Sequence, residues 1–392
     1  MVRTNDILIP PETRWLADTA AQQICAMMRK AGFDIFFVGG CVRNALLALP
    51  DSDVDMSTNA LPTQVMEIAG TAGFKAIPTG IDHGTVTVVV QDTPFEITTF
   101  RRDVATDGRR AVVAFSDDIQ DDARRRDFTM NALYADAEGR VVDPLGGLPD
   151  VMNRRIRFIE DANARIKEDY LRILRFFRFA AWFGNPSDGF DPDALSAIAE
   201  NIDGLETLSA ERIGQEMTKL LMAPDPAPAL ASMRQTGALS AILPGSDDKF
   251  VSMIVHFESS VGSSPDWITR LAALGGDQAG VRFRLSKSNA RALELAVETG
   301  FMGPQLGEIA YRHGEKPALR ALFLRCALAE TMPTRLELDE IDLASKARFP
   351  IAAGDLMPDY SGPALGAKLK ELEAAWIASG FSLSKDALLK ND

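Results

Sequence analysis

The sequence predicts an α/β domain at the start of the chain, followed by an all-α remainder. Two observations support this division. Up to about residue 150, short runs of aromatic and β-branched residues, such as Thr85–Val90, alternate with stretches of helical apolar spacing. From Asp150 onward strand patterns disappear, and glycine and proline breakers separate helical patterns. The predicted segments are residues 1–148, which are α/β, and residues 149–245 and 246–392, which are helical.

The composition is that of an ordinary globular protein. With 46% apolar and 25% charged residues, the 392-residue chain is long enough for two to four domains. No apolar run could span a membrane, so we expect no membrane association, and residues 1–11 lack the pattern of a signal peptide. The three cysteines form no CxxC pair, which argues against a disulfide framework or a zinc site. These features fit a reducing, cytoplasmic compartment.

The charge distribution restricts the possible partners. A net charge of −13 argues against a non-specific nucleic-acid binder, because such proteins are normally basic. Arginines are nevertheless concentrated between residues 154 and 178, and a local basic groove can coexist with acidic surroundings. The three histidines are far apart in sequence, so a histidine-based metal site is not expected.

A phosphate-binding turn is predicted near residue 40. Phe36–Val38 has the pattern of a buried strand, which Gly39-Gly40 interrupts. Residues 41–49 then show helical spacing that ends at Pro50. Free N–H groups at a glycine turn and at a helix N-terminus favour a phosphate group. Gly39 and Gly40 are therefore candidate nucleotide-binding residues, and Arg43 would add a charged donor.

Two aspartates follow on what reads as the next strand. Side chains two residues apart on a strand share a face, which would place Asp53 and Asp55 roughly 7 Å apart at Cβ. Like charges so close are unfavourable unless a cation lies between them, and Mg²⁺ prefers such hard oxygen ligands. Each motif alone is usually only a turn or a solvated loop. Their adjacency predicts nucleotidyl transfer with two metal ions roughly 3.5–4 Å apart.

This region resembles the signature of the polymerase-β-type nucleotidyltransferases, through Gly39-Gly40-Cys41-Val42-Arg43-Asn44-Ala45-Leu46-Leu47 followed by Asp53-Val54-Asp55. More narrowly, it resembles the class II CCA-adding enzymes (tRNA nucleotidyltransferases) and the bacterial poly(A) polymerases. The family pattern has Asp where this chain has Asn44, a position that is not a metal ligand in the family. The resemblance implies a catalytic palm in residues 1–148, a base-recognising neck in 149–245, and a tRNA-binding body and tail in 246–392.

The rest of the palm is predicted to contain helices over about residues 12–31 and 58–72 and strands over 74–78, 85–90 and 94–100. Glu96 lies on the last of these strands, which we place beside the Asp-x-Asp strand. It is the best candidate for a third catalytic acid at the metal ions. The alternative is a solvated strand glutamate, since glutamate is generally exposed.

Residues 101–123 are highly charged and predict a long loop with a turn at Asp107-Gly108-Arg109-Arg110. The CCA-adding enzymes have a flexible loop here that is implicated in switching from C to A addition. The next segment, Arg125-Arg126-Asp127-Phe128-Thr129-Met130-Asn131-Ala132, matches a family motif in which the arginine before the aspartate contacts nucleotide. The resemblance implies this role for Arg126, whereas the residues alone favour a salt bridge. Asp127 and Asn131 would share a helix face.

A base-reading pair is predicted at Asp169 and Arg172, on one helix that runs from Arg165 to Phe179. A carboxylate only accepts hydrogen bonds and a guanidinium only donates them. The pair would therefore match the amino group and the ring nitrogen of C and A and reject U and G. The alternative is a simple i,i+3 salt bridge.

The CCA-adding family assigns the base-reading role to this same motif. By that resemblance, Arg175 and Arg178 also contact nucleotide, and Glu168 would orient Arg172. The segment Leu208–Glu216 resembles the family's next helical motif, which we interpret as structural.

These observations predict an enzyme that adds C, C and A to tRNA 3′ ends. It would use CTP and ATP, require Mg²⁺ held by Asp53 and Asp55, release pyrophosphate, and be a monomer or a dimer. Two alternatives remain open. One is a poly(A) polymerase with the same palm, which would add AMP to RNA 3′ ends. The other is an RNA-binding module with an inactive palm.

Overall fold

The computed structural model describes residues 7–107 and 110–390. The strands in these residues are β1 (Ile35–Val38), β2 (Asp55–Thr58), β3 (Lys75–Gly80), β4 (Thr85–Val90), β5 (Thr93–Thr99), β6 (Arg101–Asp107), β7 (Arg110–Phe115), β8 (Tyr134–Ala135) and β9 (Val141–Val142). Seven of them form one sheet in the order β3-β4-β5-β2-β1-β8-β9, while β6 and β7 form a separate ladder. In the large sheet β2 and β5 run parallel, and the other neighbours are antiparallel.

The register of the sheet places a row of buried apolar side chains on one face and the carboxylates of Asp55 and Glu96 on the other. Phe37, Met56 and Ile97 are paired across β1, β2 and β5, and all three side chains are fully buried. Trp15 packs on Phe37 with 4.6 Å between ring centroids, so a helix covers this face. Because side chains alternate along a strand, the neighbouring register positions, Val38, Asp55 and Glu96, lie on the opposite face.

Short helices surround the sheet and continue after it. Their bounds up to residue 242 are α1 (Arg14–Ala17), α2 (Thr19–Lys30), α3 (Gly40–Leu46), α4 (Pro62–Thr71), α5 (Ile119–Arg124), α6 (Leu148–Met152), α7 (Ala162–Glu168), α8 (Leu171–Phe183), α9 (Pro192–Glu200), α10 (Ala210–Leu221), α11 (Ala227–Gln235) and α12 (Ala238–Ile242). In the part of the chain that the structure describes, no strand follows β9, as the sequence predicted.

Three predictions about local structure were wrong. Residues 101–115 form the β6–β7 ladder rather than a loop, although Gly108 and Arg109 of the predicted turn lie outside the described residues. Asp53 precedes β2 and is not part of a strand. The helix predicted from Arg165 to Phe179 is interrupted at Asp169-Tyr170, where Asp169 has an extended backbone with φ −155° and ψ 105°.

The chain divides into two compact units. Unit 1 comprises Met1–Glu216 and Pro228–Ile242, and unit 2 comprises Met217–Ala227 and Leu243–Asp392. The helices of the second part are α13 (Val251–Ser260), α14 (Trp267–Leu274), α15 (Ala279–Arg282), α16 (Lys287–Met302), α17 (Leu306–His313), α18 (Glu315–Ala329), α19 (Arg335–Lys346), α20 (Gly362–Ala378) and α21 (Lys385–Lys390). Among the described residues, no helix has both the length and the apolar character needed to cross a bilayer.

A buried ion pair lies in the core of unit 2. Arg270 of α14 and Glu258 of α13 are 1% and 2% exposed, and their side chains approach to 2.6 Å. The guanidinium of Arg270 also donates to the carbonyl oxygens of Leu221 and Ala223, at 2.6 and 2.5 Å. These carbonyls lie at the end of α10, where intrahelical partners run out. Arg270 therefore acts as a side-chain cap for that helix end.

Candidate active site

The turn after β1 consists of two glycines, Gly39 and Gly40, and neighbouring side chains lie close to both of them. Gly39 has φ +75°, which a residue with a side chain rarely adopts, and a Cβ there would lie 3.3 Å from Nη1 of Arg126. A Cβ on Gly40 would lie 2.9 Å from the hydroxyl oxygen of Ser52. Arg126 and Ser52 thus approach the backbone of this turn too closely for a side chain at either glycine.

Three carboxylates, those of Asp53, Asp55 and Glu96, are grouped near the start of β2. Asp55 begins β2 and lies directly opposite Glu96 in the parallel ladder, so the predicted pairing of these strands is confirmed. Partial burial raises the pKa of Asp55, and the charges of Glu96 and Asp53 raise it further, while Arg126 opposes them. The structure thus brings Asp53, Glu96 and Arg126 within electrostatic reach of Asp55.

Arg126 is held in place by a buried acid that the sequence analysis did not identify. Asp122 is fully buried and accepts hydrogen bonds from Nη2 of Arg126 at 3.0 Å and from the Tyr134 hydroxyl at 2.8 Å. Arg125 donates to the same carboxylate at 3.0 Å. Burial alone would raise the pKa of Asp122, but the two arginine charges and the Tyr134 hydrogen bond outweigh it and lower the pKa to about 2.

Arg43 lies beside the glycine turn, but its guanidinium is buried and donates from each of its three nitrogens to an asparagine. It donates to Oδ1 of Asn131 at 2.5 Å and to Oδ1 of Asn44 at 2.8 and 3.1 Å. Its carbon Cζ lies 3.9 Å from the ring centroid of Phe183, a cation–π contact. Burial lowers the pKa of Arg43 to about 10. Direct phosphate binding by Arg43 therefore stays a prediction.

The expected contact between Asp127 and Asn131 is present without a shared α-helix. Asn131 lies in a 3₁₀ turn (Thr129–Asn131) and donates to Oδ1 of Asp127 at 2.9 Å. The other oxygen of Asp127 accepts from Nε of Arg175 at 2.7 Å. Burial would raise the pKa of Asp127, but the charge of Arg175 and the hydrogen bonds lower it. The hydrogen bond between Asp127 and Arg175 thus connects the palm motif of residues 125–132 directly to α8.

Asp169 and Arg172, predicted to act as a pair, each contact a different partner. Asp169 accepts from Nη2 of Arg212 at 2.6 Å and from the backbone N–H of Leu171 at 3.1 Å. Arg172 forms an ion pair with Glu168, as predicted for that glutamate, and donates to the carbonyl oxygen of Arg165 at 2.7 Å. The interruption between α7 and α8 accounts for this, because the two residues do not share a helix face.

Arg175 and Arg178 project from α8 toward Glu216 of α10. Nε of Arg178 donates to Glu216 at 2.5 Å, and Nη1 of Arg175 lies 4.0 Å from the same carboxylate. The ring of Phe179 lies under both guanidinium groups, at 4.6 Å from Arg178 and 5.4 Å from Arg175. Two arginines are thus kept close together by a carboxylate and an aromatic face, in spite of their like charge.

The carboxylates are a suitable donor set for a divalent cation. Asp55, Asp53 and Glu96 offer only oxygen donors, and the charges of Glu96 and Asp53 add to partial burial in raising the pKa of Asp55. In the described residues, no three potential metal-ligating side chains converge on one point. The remaining ligands would therefore come from substrate phosphates and water, which is the usual situation for Mg²⁺.

The α/β sheet with its acidic edge, continued by helices, is the architecture of a nucleotidyltransferase. A family model described as the poly A polymerase head domain matches residues 35–157, and one described as the probable RNA and SrmB-binding site of polymerase A matches residues 189–250. The chain is 31% identical to the mitochondrial CCA tRNA nucleotidyltransferase 1 of Homo sapiens, over 97% of this chain and 91% of the human protein. The chain belongs to the CCA tRNA nucleotidyltransferase family.

Two further relatives agree with this assignment. The chain is 34% identical to the CCA-adding enzyme of Streptococcus gordonii, over 91% of this chain and 92% of that protein. The crystal structure of the Bacillus stearothermophilus CCA-adding enzyme in complex with CTP matches with a TM-score of 0.72 and 27% identity, covering 92% of both chains. The resemblance and the fold class inferred from the sequence are confirmed.

Proposed function

We propose that this chain adds C, C and A to tRNA 3′ ends, using CTP and ATP and releasing pyrophosphate. The observation that carries the proposal is the register pair of Asp55 and Glu96 beside the Gly39 turn, with Arg126 next to Gly39 and its charge acting on Asp55. The names of the relatives support the choice of substrates, since one solved relative holds CTP and another, from Thermotoga maritima, is complexed with tRNA.

The family suggests a divalent metal, and we propose Mg²⁺ held by Asp53 and Asp55. Such a cation would supply positive charge to the attacking 3′-hydroxyl and to the leaving pyrophosphate. The chain's own residues would do the rest. The Gly39-Gly40 turn would present its backbone to the triphosphate, and Arg126, fixed by Asp122, would add positive charge next to it. Glu96 would complete the acidic edge as the third catalytic carboxylate.

Base selection would occur in the neck, where Asp169 accepts from the exocyclic amino group of C or A and Arg172 donates to the ring nitrogen. Both bases present this donor–acceptor pair, whereas U and G present the reverse. Arg175 and Arg178 would contact the nucleotide beside them. Both arginines already hold carboxylates, so the nucleotide would share or replace these partners.

The functional segments remain as proposed from the sequence: a palm in residues 1–148, a base-recognising neck in 149–245, and a tRNA-binding body and tail in 246–392. A cytoplasmic location is also a proposal. It is supported by the three cysteines, which are all buried and unpaired, as expected in a reducing compartment.

A poly(A) polymerase is the second candidate, because the matched head-domain model carries that description. A tRNA transcript that lacks its CCA end distinguishes the two functions. With CTP alone we expect two additions, and subsequent ATP should then add one A and stop. Continued A addition without CTP would support the poly(A) polymerase instead. Absence of any incorporation would support an RNA-binding module with an inactive palm.

The metal assignment is tested with the double variant Asp53→Ala/Asp55→Ala, which we expect to abolish incorporation. Asp34→Ala is a matched control, because Asp34 is exposed and directly precedes β1. Asp55 pairs with Val38 at the other end of that strand. Binding of CTP in the absence of metal should persist in the double variant. Incorporation at the wild-type rate by that variant would show the assignment to be wrong.

A further inference from the structure

The junction between α7 and α8 is fixed by tertiary contacts rather than by a local breaker. The residues Glu168-Asp169-Tyr170 include neither glycine nor proline, yet the helix stops there. On one side of the junction, Arg212 of α10 donates to Oδ2 of Asp169 at 2.6 Å. On the other side, the ring of Tyr170 packs so closely on Gly204 that a Cβ on this glycine would overlap it.

The helix α10 contacts the candidate base-contacting residues twice. Arg212 binds Asp169, and one turn later Glu216 binds Arg178. Residues four apart lie on the same face of a helix, so a single face of α10 supports both ends of this group. The sequence motif of this helix favoured a purely structural role. The contacts show that it touches the residues proposed to read the base.

We propose that Arg212 is a positioning residue for base selection, which it serves by holding the Asp169 carboxylate toward the nucleotide. The inference rests on the proposed function. Each carboxylate oxygen can accept about two hydrogen bonds. Arg212 uses one position on Oδ2, and the N–H of Leu171 uses one on Oδ1. One acceptor position on each oxygen is left for the amino group of C or A, and the Asp169 side chain is 22% exposed.

Without Arg212, the carboxylate would keep only its bond to the N–H of Leu171 and could rotate away. A carboxylate held in place repels O4 of uracil, because both groups only accept hydrogen bonds. A rotating carboxylate repels it less and also binds the amino group of cytosine less well. Loss of Arg212 should therefore reduce discrimination mainly through nucleotide binding.

The opposite role for Arg212 makes the opposite prediction. If Arg212 occupied Asp169 only as a competitor of the nucleotide, its removal would free the carboxylate. The variant would then bind CTP more tightly and discriminate at least as well as the wild type. The direction of the change in CTP affinity decides between the two roles.

The experiment compares Arg212→Gln and Arg212→Lys with the wild-type full-length chain, with CTP and UTP as probes. Single-nucleotide incorporation gives kcat and KM, and equilibrium dialysis gives Kd without turnover. We expect the CTP/UTP ratio of kcat/KM to fall at least about tenfold in Arg212→Gln, the size expected for a lost hydrogen bond to a charged group. The fall should come from KM and Kd for CTP, and Arg212→Lys should be intermediate.

Gly204→Ala tests the same junction without changing a charge, because its methyl group displaces Tyr170. It should also lower the CTP/UTP ratio.

Arg29→Gln is the matched control, since it breaks another arginine–carboxylate pair of unit 1, with Glu138, at 2.6 Å. An unchanged ratio in folded Arg212→Gln, or tighter CTP binding, would overturn the inference. Should that variant not fold, Arg212→Lys and Gly204→Ala decide by the same ratio. Failure of the wild-type chain to use CTP would instead reject the proposed function.

Discussion

Asp55 lies directly beside Glu96 where β2 and β5 run parallel, so two carboxylates share one face of the sheet. Their repulsion contributes to the raised pKa of Asp55, after partial burial. A cation relieves this repulsion, and removal of one charge weakens the attraction for the cation. For Glu96→Gln we therefore expect the Mg²⁺ concentration for half-maximal activity to rise about tenfold, with much of the activity recovered at high Mg²⁺.

A magnesium titration of CTP incorporation measures this effect. Asp55→Asn should not be rescued by high Mg²⁺, because it removes a proposed ligand rather than a neighbouring charge. Glu67→Gln on the exposed side of α4 is the control for loss of a glutamate in the same unit. An unchanged magnesium requirement in Glu96→Gln would show that Glu96 is a solvated strand residue, the alternative left open by the sequence.

The palm could be predicted from sequence because its signals are local. The β-branched alternation of β4 and the glycine pair after β1 determine structure within a few residues. The pairing of the Glu96 strand with the Asp-x-Asp strand was predicted, whereas the register that sets Glu96 beside Asp55 is a finding of the structure. The β6–β7 ladder was not predicted, because β6 is charged and the apolar run of β7 is too short to stand out within residues 101–123. The backbone pairing of the two strands identifies the ladder.

Asp169 and Arg172, which were predicted to share a helix face, show the limit of predictions from helical periodicity. No glycine or proline stops the helix at Asp169. Its carboxylate accepts locally from the N–H of Leu171, and its other partner, Arg212, lies 43 residues further along the chain. Asp122 was missed for a related reason. In a stretch as charged as residues 117–126, a buried aspartate cannot be distinguished from solvated ones by sequence alone. Only the fold shows that Tyr134 and Arg126 surround it.

Asp122 should give unit 1 a pH-dependent contribution to stability. Its pKa is lowered from 3.8 to about 2 in the folded state. Because the folded pKa is the lower one, the contribution is fully present above pH 4 and is lost as the pH falls toward 2. It amounts to about 2 kcal/mol, of which about half is lost by pH 3.

Urea denaturation of the wild type and of Asp122→Asn at pH 7 and pH 3 measures this contribution. The difference in free energy of unfolding between the two proteins should shrink by about 1 kcal/mol at the lower pH. The exposed neighbour Asp117, changed to Asn, is the control and should show no such change. A pH-independent difference for Asp122→Asn would contradict the ionised, paired state of this residue.

Arg270 should be essential for the stability of unit 2. Arg270→Met leaves the Glu258 charge buried and the carbonyls of Leu221 and Ala223 without their donor. Breaking a buried ion pair from one side costs about 3–5 kcal/mol. Burial already raises the pKa of Glu258, and loss of the arginine charge raises it further. Protonation of Glu258 should therefore reduce the defect at about pH 5 relative to pH 7.

Hydrogen exchange of the α14 amides reports this local stability. Glu258→Gln should cost less than Arg270→Met, since Arg270 keeps its carbonyl partners. Arg335→Met on α19 removes an exposed arginine and should leave the exchange unchanged. If Arg270→Met were equally destabilised at both pH values, the uncompensated charge of Glu258 would not be the cause.

Base choice depends on the acceptor character of Asp169, and two substitutions separate this property from side-chain size. Asp169→Ala removes the acceptor, so the preference for CTP and ATP over UTP should be lost. Asp169→Asn keeps the shape but offers an NH₂ group, which can donate to O4 of uracil. Its carbonyl oxygen can accept either from Arg212 or from the N–H of Leu171, and the NH₂ group at the other position can donate to the base. UTP incorporation should therefore rise more in Asp169→Asn than in Asp169→Ala. Competition assays with CTP and UTP measure the ratio directly, and wild-type selectivity in both variants would exclude Asp169 from base recognition.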